Sequence, residues 1–597
     1  MRTFVLALTV CLATRALCAT YNGTLTPTNG SATLAWSGGP ITGAMSYLSL
    51  AEGQVGLSPS CDATQCDLYN LTVNLPAGFY ATYPNYSVHV TINFGNDIQD
   101  LDLYVFDSAG NLVGASATGG TSAEDAYLGQ LPSGNYQIQV VPASAAAATY
   151  TGAVTLAPEP PVVTGKARYT FGNFTFTTQM LNRPGETINS NPVTSVFYEN
   201  DAEPRVVHDT LGNVYVAAIQ AVPAGTDFWK SMDGGNTFTY LGQPDGTQAA
   251  AAAGAGTGVG LGGGDEDLIP VGGNNLFLTS LWLGNVTNCG SSDGATTWLC
   301  NGFGALPADD RQWAASYGSN IVYLTTKQLG TLENSTPSIY VAKSIDGGLT
   351  FPLVSEVTKP ILGVQPGDQG NIIVDPNNGN VYTVFFGGSP NQVYMAKSSD
   401  GGSTWTLKLV YQEPSGQSLG HVFPAIAVDK ASNLYMVFSD GVRALFTRSV
   451  DGGATWSVPV QVNTGNNLKT AMEPWVIAGD AGKVDIFFYG TSSASFMDSS
   501  AKWAVFMAQS QNALAKVPTF AIRQATDIMH IGAICINGIA CAFGTRNLLE
   551  YFYPDTYVDG SALAAYPDDY HSDHATWLSH TWFLKQTGGS KIIGFSR

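Results

Sequence analysis

Short polar clusters recur along the C-terminal two-thirds of the chain, each just ahead of a run of β-forming residues. They are Glu203-Pro204-Arg205, Asp265-Glu266-Asp267, Asp309-Asp310-Arg311, Asp368, His421, Glu473-Pro474-Trp475 and Arg546, the last followed by Glu550-Tyr551. These residue types suit recognition and acid–base chemistry. A guanidinium presents a planar fork of donors that matches a carboxylate. Cleavage of a glycosidic bond needs a proton donor together with a nucleophile or charge stabiliser, which carboxyl groups can supply. Positions so far apart in sequence act together only if the fold brings them to one place.

The elements that would do so announce themselves through a repeated word. Ser449-Val450-Asp451-Gly452-Gly453-Ala454-Thr455-Trp456 recurs as Ser398–Trp405, Ser344–Phe351 and Ser231–Phe238, with a worn copy at Ser291–Trp298. Its aspartates stand at 233, 293, 346, 400 and 451, in steps of 60, 53, 54 and 51 residues. A fixed word at this period marks a repeat architecture such as a propeller. Asp-Gly-Gly between two β-rich runs is a tight hairpin, because glycine takes positive φ without a Cβ clash. The Asp carboxylate can accept hydrogen bonds from the turn's own N–H groups, and the closing aromatic anchors the next strand. A β-run opens each repeat, three of them containing Gly212-Asn213-Val214-Tyr215, Gly379-Asn380-Val381-Tyr382 and Ser432-Asn433-Leu434-Tyr435.

The word resembles the Asp box of the sialidase-type β-propellers. The resemblance implies an all-β fold in which the boxes lie on peripheral hairpins and the polar clusters converge on a central axis. Counting the β-runs, with a last unit around 530–586 that lacks the word, gives seven blades, with six as the alternative. Residues 165–200 are expected to lend a strand that closes the ring, since closure removes exposed sheet edges. The family binds a sugar carboxylate with three arginines, uses an Asp as acid/base and a Tyr activated by a Glu as nucleophile. Carried over, this makes Arg205, Arg311 and Arg546 substrate-binding residues, with His421 and Glu473 beside them. Asp310 becomes the acid/base, and Tyr489 or Tyr551 with Glu550 the nucleophile. The family's Phe/Tyr-Arg-Ile-Pro start motif is absent, and Glu203-Pro204-Arg205 is not it. The competing reading is that each arginine pairs with a neighbouring carboxylate and holds blades together. Convergence of the three arginines on one open pocket beside an acid would favour an enzyme; blade-to-blade ion pairs would favour a non-catalytic binding or cell-surface structural protein.

Residues 19–157 lack the word and alternate apolar and polar residues between turns, as an antiparallel β-sandwich does. Within them Asp100–Val113 and Leu131–Val140 resemble the pre-peptidase C-terminal type of accessory sandwich. Asp97, Asp100, Asp102 and Asp107 are candidate calcium ligands or a solvated turn and strand face; no cofactor is otherwise required. Pro158-Glu159-Pro160-Pro161 opens a stiff linker, 158–164, and the propeller runs from 165 to 597. The Ala/Gly tract 246–264 reads as an insertion between the first two blades. Asp568-Asp569-Tyr570-His571-Ser572-Asp573-His574, with His580 beyond, reads as a polar surface loop or a metal-binding cluster.

Composition narrows the setting. A net charge of −20 argues against nucleic acid or an anionic membrane as partner. Residues 1–18 have the form of a secretion signal: Arg2, the apolar run Phe4–Ala13, then small residues. No other apolar run is long enough to span a membrane, so a secreted, extracellular or cell-surface protein is expected. Its partners would be glycans or glycoproteins, or self-assembly partners at a surface. Six cysteines outside the signal fall in neighbouring pairs, Cys61 and Cys66, Cys289 and Cys300, Cys535 and Cys541, expected as three local disulfides. Seven glycosylation sequons begin at Asn22, Asn29, Asn70, Asn85, Asn173, Asn285 and Asn334.

Overall fold

A computed structural model describes residues 19–594 apart from interior stretches, chiefly 44–65, 159–165, 182–201, 247–261, 302–308, 329–336, 359–365 and 571–578. The signal segment, Cys61, Asp97, most of the Ala/Gly tract, Asn29, Asn85, Asn334, His571, Asp573 and His574 lie outside the described residues. The chain is nearly all β; among the described residues the one helix is Phe79–Thr82. These residues form two compact units, one up to residue 158 and one from residue 166.

The first unit is built on a single 25-residue strand, Gly134–Pro158. Its first half pairs antiparallel with Asp67–Val73 and Asp100–Asp107. Its second half pairs with Ala32–Gly43 and Tyr86–Asn93. The expected antiparallel pattern is departed from at one place, where Thr20–Leu25 runs parallel to Asp67–Val73. Period-two alternation decides which side is buried: Asp67, Tyr69, Leu71 and Val73 face in, while Asn70 and Thr72 face out. Leu71, Val90, Leu103, Ile138 and Val154 share one apolar core. The buried Asp67 is satisfied by Ala19 N, Gly39 N and the Tyr150 hydroxyl, at 2.6, 3.0 and 3.0 Å.

The second unit contains seven sheets among the described residues. Five are four-stranded meanders in chain order; the sixth adds His530–Ile531 beside Lys502–Ser510. The seventh joins both ends of the unit: Lys166–Phe171 and Phe174–Met180 pair onto His580–Gly588 and Ala562–Asp568, with Thr178 opposite Leu584. The first strands of successive sheets lie against one another: Ala202–His208, Glu266–Pro270, Asp309–Tyr317, Pro366–Val374, Ala425–Val428 and Thr470–Ala478. Ala562–Asp568 packs back onto Ala202–His208 and closes the cycle. Central strands such as Val381–Gly387 and Val484–Thr491 are buried along their whole length, which accounts for their mainly apolar sequences.

The repeated word forms the turn between third and fourth strands in five sheets. In the copy at 451, Ser449 Oγ donates to Asp451 Oδ1 at 2.7 Å and Thr455 N to the same oxygen at 2.9 Å. Thr455 Oγ1 donates to Asp451 Oδ2 at 2.5 Å, and Gly453 N donates to Ser449 Oγ at 2.9 Å. The same network recurs at Asp233, Asp293, Asp346 and Asp400. The aromatic that ends the word packs on the preceding sheet: Phe238 on Phe583, Trp298 on Phe228 and Phe351 on Phe277, at ring separations of 4.8, 5.2 and 6.1 Å.

A second inter-sheet contact recurs. Lys230, paired across its hairpin with Tyr215, donates Nζ to the Gly294 carbonyl of the next sheet's turn at 2.7 Å. Lys397, opposite Tyr382, does the same to Gly452 at 3.2 Å, and Lys585 to Gly234 at 2.6 Å. Each ammonium lies over a tyrosine ring, at 5.5, 5.6 and 4.2 Å from the centroids of Tyr215, Tyr382 and Tyr557.

Disulfides join Cys289 to Cys300 and Cys535 to Cys541. Cys66 is also disulfide-bonded. Of the sequon asparagines, Asn22, Asn70 and Asn173 are exposed and Asn285 is half-buried.

Candidate functional site

The antiparallel register slips in four first strands, Pro366–Val374 among them; in the other three the slip falls between Ala202 and Arg205, Asp310 and Gln312, and Met472 and Trp475. Within each of these three slips one residue takes a left-handed backbone: Glu203 at φ 49°, Arg311 at 52° and Glu473 at 51°. A non-glycine residue there is strained by roughly 1–2 kcal/mol. Such strain persists where surrounding contacts over-determine the backbone, and a bulge re-aims the side chain it carries. All three side chains are buried. Three sheets thus each turn one charged side chain toward the same interior.

Arg311 is the hub. Its Nη1 lies 3.2 Å from Glu203 Oε2 and 3.7 Å from Asp265 Oδ2, and its Nη2 donates to the Glu266 carbonyl at 3.4 Å. Its carbon centre sits 3.8 Å from the Trp313 ring and 4.0 Å from the Tyr551 ring. Glu203 spans the other way, its Oε1 accepting from Glu550 N at 3.1 Å. Arg546 donates to Glu550 Oε1 at 2.8 Å, and Lys327 pairs with Asp368 at 3.0 Å. The Arg546–Glu550 pair and Asp265 are partly exposed, and Asp368 more so, forming a rim around a buried floor.

The electrostatics follow from burial and crowding. Burial pushes Glu203 well above the carboxylate range, Asp265 adds to the push, and Arg311 opposes it. Burial likewise raises Glu473 well above its ordinary value, with Glu550 adding and Arg546 opposing. Asp310 is raised by burial and by Asp265. Neither oxygen of the Glu473 carboxyl has a hydrogen-bond partner, nor do those of Glu266 or the hydroxyl of Tyr489. Tyr489 is raised by burial, then by Glu473 and Glu203, so this phenol and Glu473 stand in one field.

The structure therefore brings together Glu203, Asp310, Arg311, Glu473, Tyr489, Arg546, Glu550 and Tyr551. Within that set the expected partnerships change. Tyr551 donates its hydroxyl to the Glu266 carbonyl at 2.6 Å, while the adjacent Glu550 binds Arg546. Arg205 stands apart: its Nε donates to the Leu268 carbonyl at 3.0 Å, lies 3.5 Å from Asp267, and its guanidinium stacks 3.0 Å from the Tyr553 ring. It lines a cavity of about 510 Å3 toward the C-terminal ends of the first strands, where His208 and Asp555 pair at 2.7 Å. His421 packs edge-on against Phe496 at 5.4 Å, and burial lowers its pKa. In the first unit Asp102 is buried and accepts from the Tyr104 hydroxyl at 3.2 Å, and Asp107 caps its own turn through Ala109 N at 2.8 Å. The side chain of Asp100 lies outside the described residues. Among the described residues no group of three or more His, Cys, Asp or Glu is placed to hold a metal ion.

Two features escaped the sequence reading. Lys327 completes the rim through Asp368, and nothing near it in sequence marks it. His530 is buried, 2.9 Å from Asp569 through Nδ1 and 3.2 Å from the Ala533 carbonyl through Nε2. Asp569 was read as part of the polar loop; it is the anchor of this histidine.

No known family profile matches the chain, and no curated protein does. Among solved structures, a leech intramolecular trans-sialidase complexed with 2,7-anhydro-Neu5Ac is 12% identical, covering 85% of this chain and 94% of that one, with a TM-score of 0.37. The α-L-arabinofuranosidase Arb93A of Fusarium graminearum is 16% identical over 56% of this chain and 96% of its own, with a TM-score of 0.36. The Aleuria aurantia lectin, in complex with α-methyl-L-fucoside, is 9% identical over 57% and 99%, with a TM-score of 0.35.

Proposed function

We propose that this is a secreted protein directed at extracellular glycans, built as an N-terminal β-sandwich followed by a seven-bladed Asp-box propeller. Its site is the axial cluster around Glu203, Arg311 and Glu473. The observation that carries the reading is Glu473: a buried carboxyl with no hydrogen-bond partner, held at φ 51° beside the free Tyr489 hydroxyl. A carboxyl kept protonated by its surroundings is the general acid that glycoside cleavage requires. In that reaction Glu473 gives its proton to the departing glycosidic oxygen, and water adds to the anomeric carbon. On this reading Glu550, at the partly exposed rim, takes the water's proton.

A second reading is favoured by a different observation. The guanidinium groups of Arg205 and Arg311 are bound to carboxylates and carbonyls of other sheets. On that reading the arginines are struts, and the propeller is a non-catalytic binding or surface scaffold.

The test is sugar release from a panel of neutral, amino and acidic glycans, with wild type beside Glu473→Gln. Release that falls at least 100-fold in the variant, with Tm retained, supports the enzyme. Glycan binding without release from any substrate supports the scaffold and removes the catalytic role of Glu473. Neither binding nor release removes the glycan-directed reading altogether.

A further inference from the structure

The cluster also bears on which sugar it would take; this inference rests on the glycan-directed reading above. Three cations reach the cluster, and each already has a protein carboxylate. Arg311 is held by Glu203 and Asp265, with its faces covered by Trp313 and Tyr551. Arg546 is held by Glu550, and Lys327 by Asp368. Recognition of a sugar carboxylate by arginine needs an accessible, unoccupied edge of the fork; the Arg311 edge carrying Nη1 and Nη2 is filled, and its Nε, which has no partner, is fully buried. Against the three cations stand the carboxyl groups of Glu203, Asp265, Asp310, Asp368 and Glu550, besides the protonated Glu473, and they feel one another's charge. An entering carboxylate would meet the partly exposed Asp265, Asp368 and Glu550 at the rim, where partial desolvation makes like charges repel more strongly than in water. The buried, unpartnered carboxyl of Glu473 offers hydrogen-bonding capacity that suits a hydroxyl or an ammonium group.

We infer that the sugar residue accepted at this cluster carries no carboxylate and is a neutral or amino sugar. The two members of this class share the property that decides entry, and the experiment separates them.

The full chain is titrated by calorimetry, or by tryptophan fluorescence, with four probes matched in length. These are a neutral arabino- or galacto-oligosaccharide, a chitosan oligosaccharide, sialyllactose and an oligogalacturonate. Tighter binding of the neutral or the chitosan probe, by at least 10-fold over both acidic ones, is the expected result. Whichever of the two leads identifies the sugar. The double variant Asp310→Asn/Asp368→Asn, made at the rim and checked for an unchanged thermal transition, should narrow that ratio at least threefold by improving binding of the acidic probes. Preferential binding of sialyllactose or oligogalacturonate would overturn the inference while leaving the glycan-directed reading in place. An unchanged ratio in the folded double variant would overturn the electrostatic argument. Absence of binding and release with all four would overturn the glycan-directed reading and this inference with it.

Discussion

The Arg311 guanidinium meets the Glu203 carboxylate at 3.2 Å across two sheets, each residue held on a left-handed bulge. Truncating one partner of a buried pair leaves the other uncompensated, a loss of about 3–5 kcal/mol. Arg311→Ala should lower the free energy of denaturant unfolding by that amount. Adding Glu203→Gln should restore part of it, because the orphaned charge is gone. A double variant no more stable than the single one would show that the pair does not couple the sheets.

Adjacent glycines in one turn give a cleaner comparison. Gly347 at φ 80° and Gly348 at φ 98° both have left-handed backbones. A Cβ at 347 meets nothing within 4 Å, whereas at 348 it would lie 2.1 Å from the Phe277 ring on the preceding sheet. Gly347→Ala should lose about 1–2 kcal/mol from backbone strain alone. Gly348→Ala should lose roughly 1–3 kcal/mol more from overpacking. Equal losses would mean that the turn does not press on its neighbour.

The lysine latches should behave as modest, independent contacts. Lys230→Met removes the bond to the Gly294 carbonyl and should lower stability by about 0.5–1.5 kcal/mol. The acceptor is neutral, so the loss should change little between low and high salt. Combined with Lys397→Met, three sheets away, the losses should add.

Acid should weaken the repeated turns. Asp293 is lowered to about 2 by bonds from Thr297 N and Oγ1, and Asp451 to about 2 by Thr455 Oγ1 and N. A depressed carboxylate contributes stability that is present above its unfolded value near 3.8 and is lost as pH falls toward 2. Asp451→Asn should therefore flatten the fall of Tm between pH 4 and pH 2. His530 works in the opposite direction: burial would lower it, but Asp569 outweighs burial and raises it. Its contribution is full below about 6.5 and fades as pH rises through its folded value. His530→Gln should be most destabilising in mild acid and least in mild alkali.

How far the sequence could be read follows from the range of each interaction. The Asp-Gly-Gly word was legible because its bonds join residues no more than four apart, all between Ser449 and Thr455. The polar clusters at 203–205, 309–311 and 473–475 were legible because each lies on a first strand, and Glu203, Asp310–Arg311 and Glu473 do gather. What Arg311 binds was not legible: its partner is more than a hundred residues away, and the choice between a sugar and Glu203 depends on sheet spacing. The latches were half visible. The Tyr of Gly-Asn-Val-Tyr was read as part of a β-run, but its lysine partner lies across a hairpin, and the acceptor is a backbone carbonyl of another repeat. Adjacency also misled: Glu550 and Tyr551 are chain neighbours whose side chains bind different groups.

The seventh sheet has a consequence for the life of the nascent chain. Phe174–Met180 leaves the ribosome long before its partner His580–Gly588 and must wait for it. Until then the unit is an open row of sheets with a bare edge at each end, the exposed state from which strands pair with the wrong partner. Closure is a late, long-range event whose loop entropy is met in one step. Removing the last twenty residues would accordingly leave a chain able to form most of its hairpins but unable to become a ring.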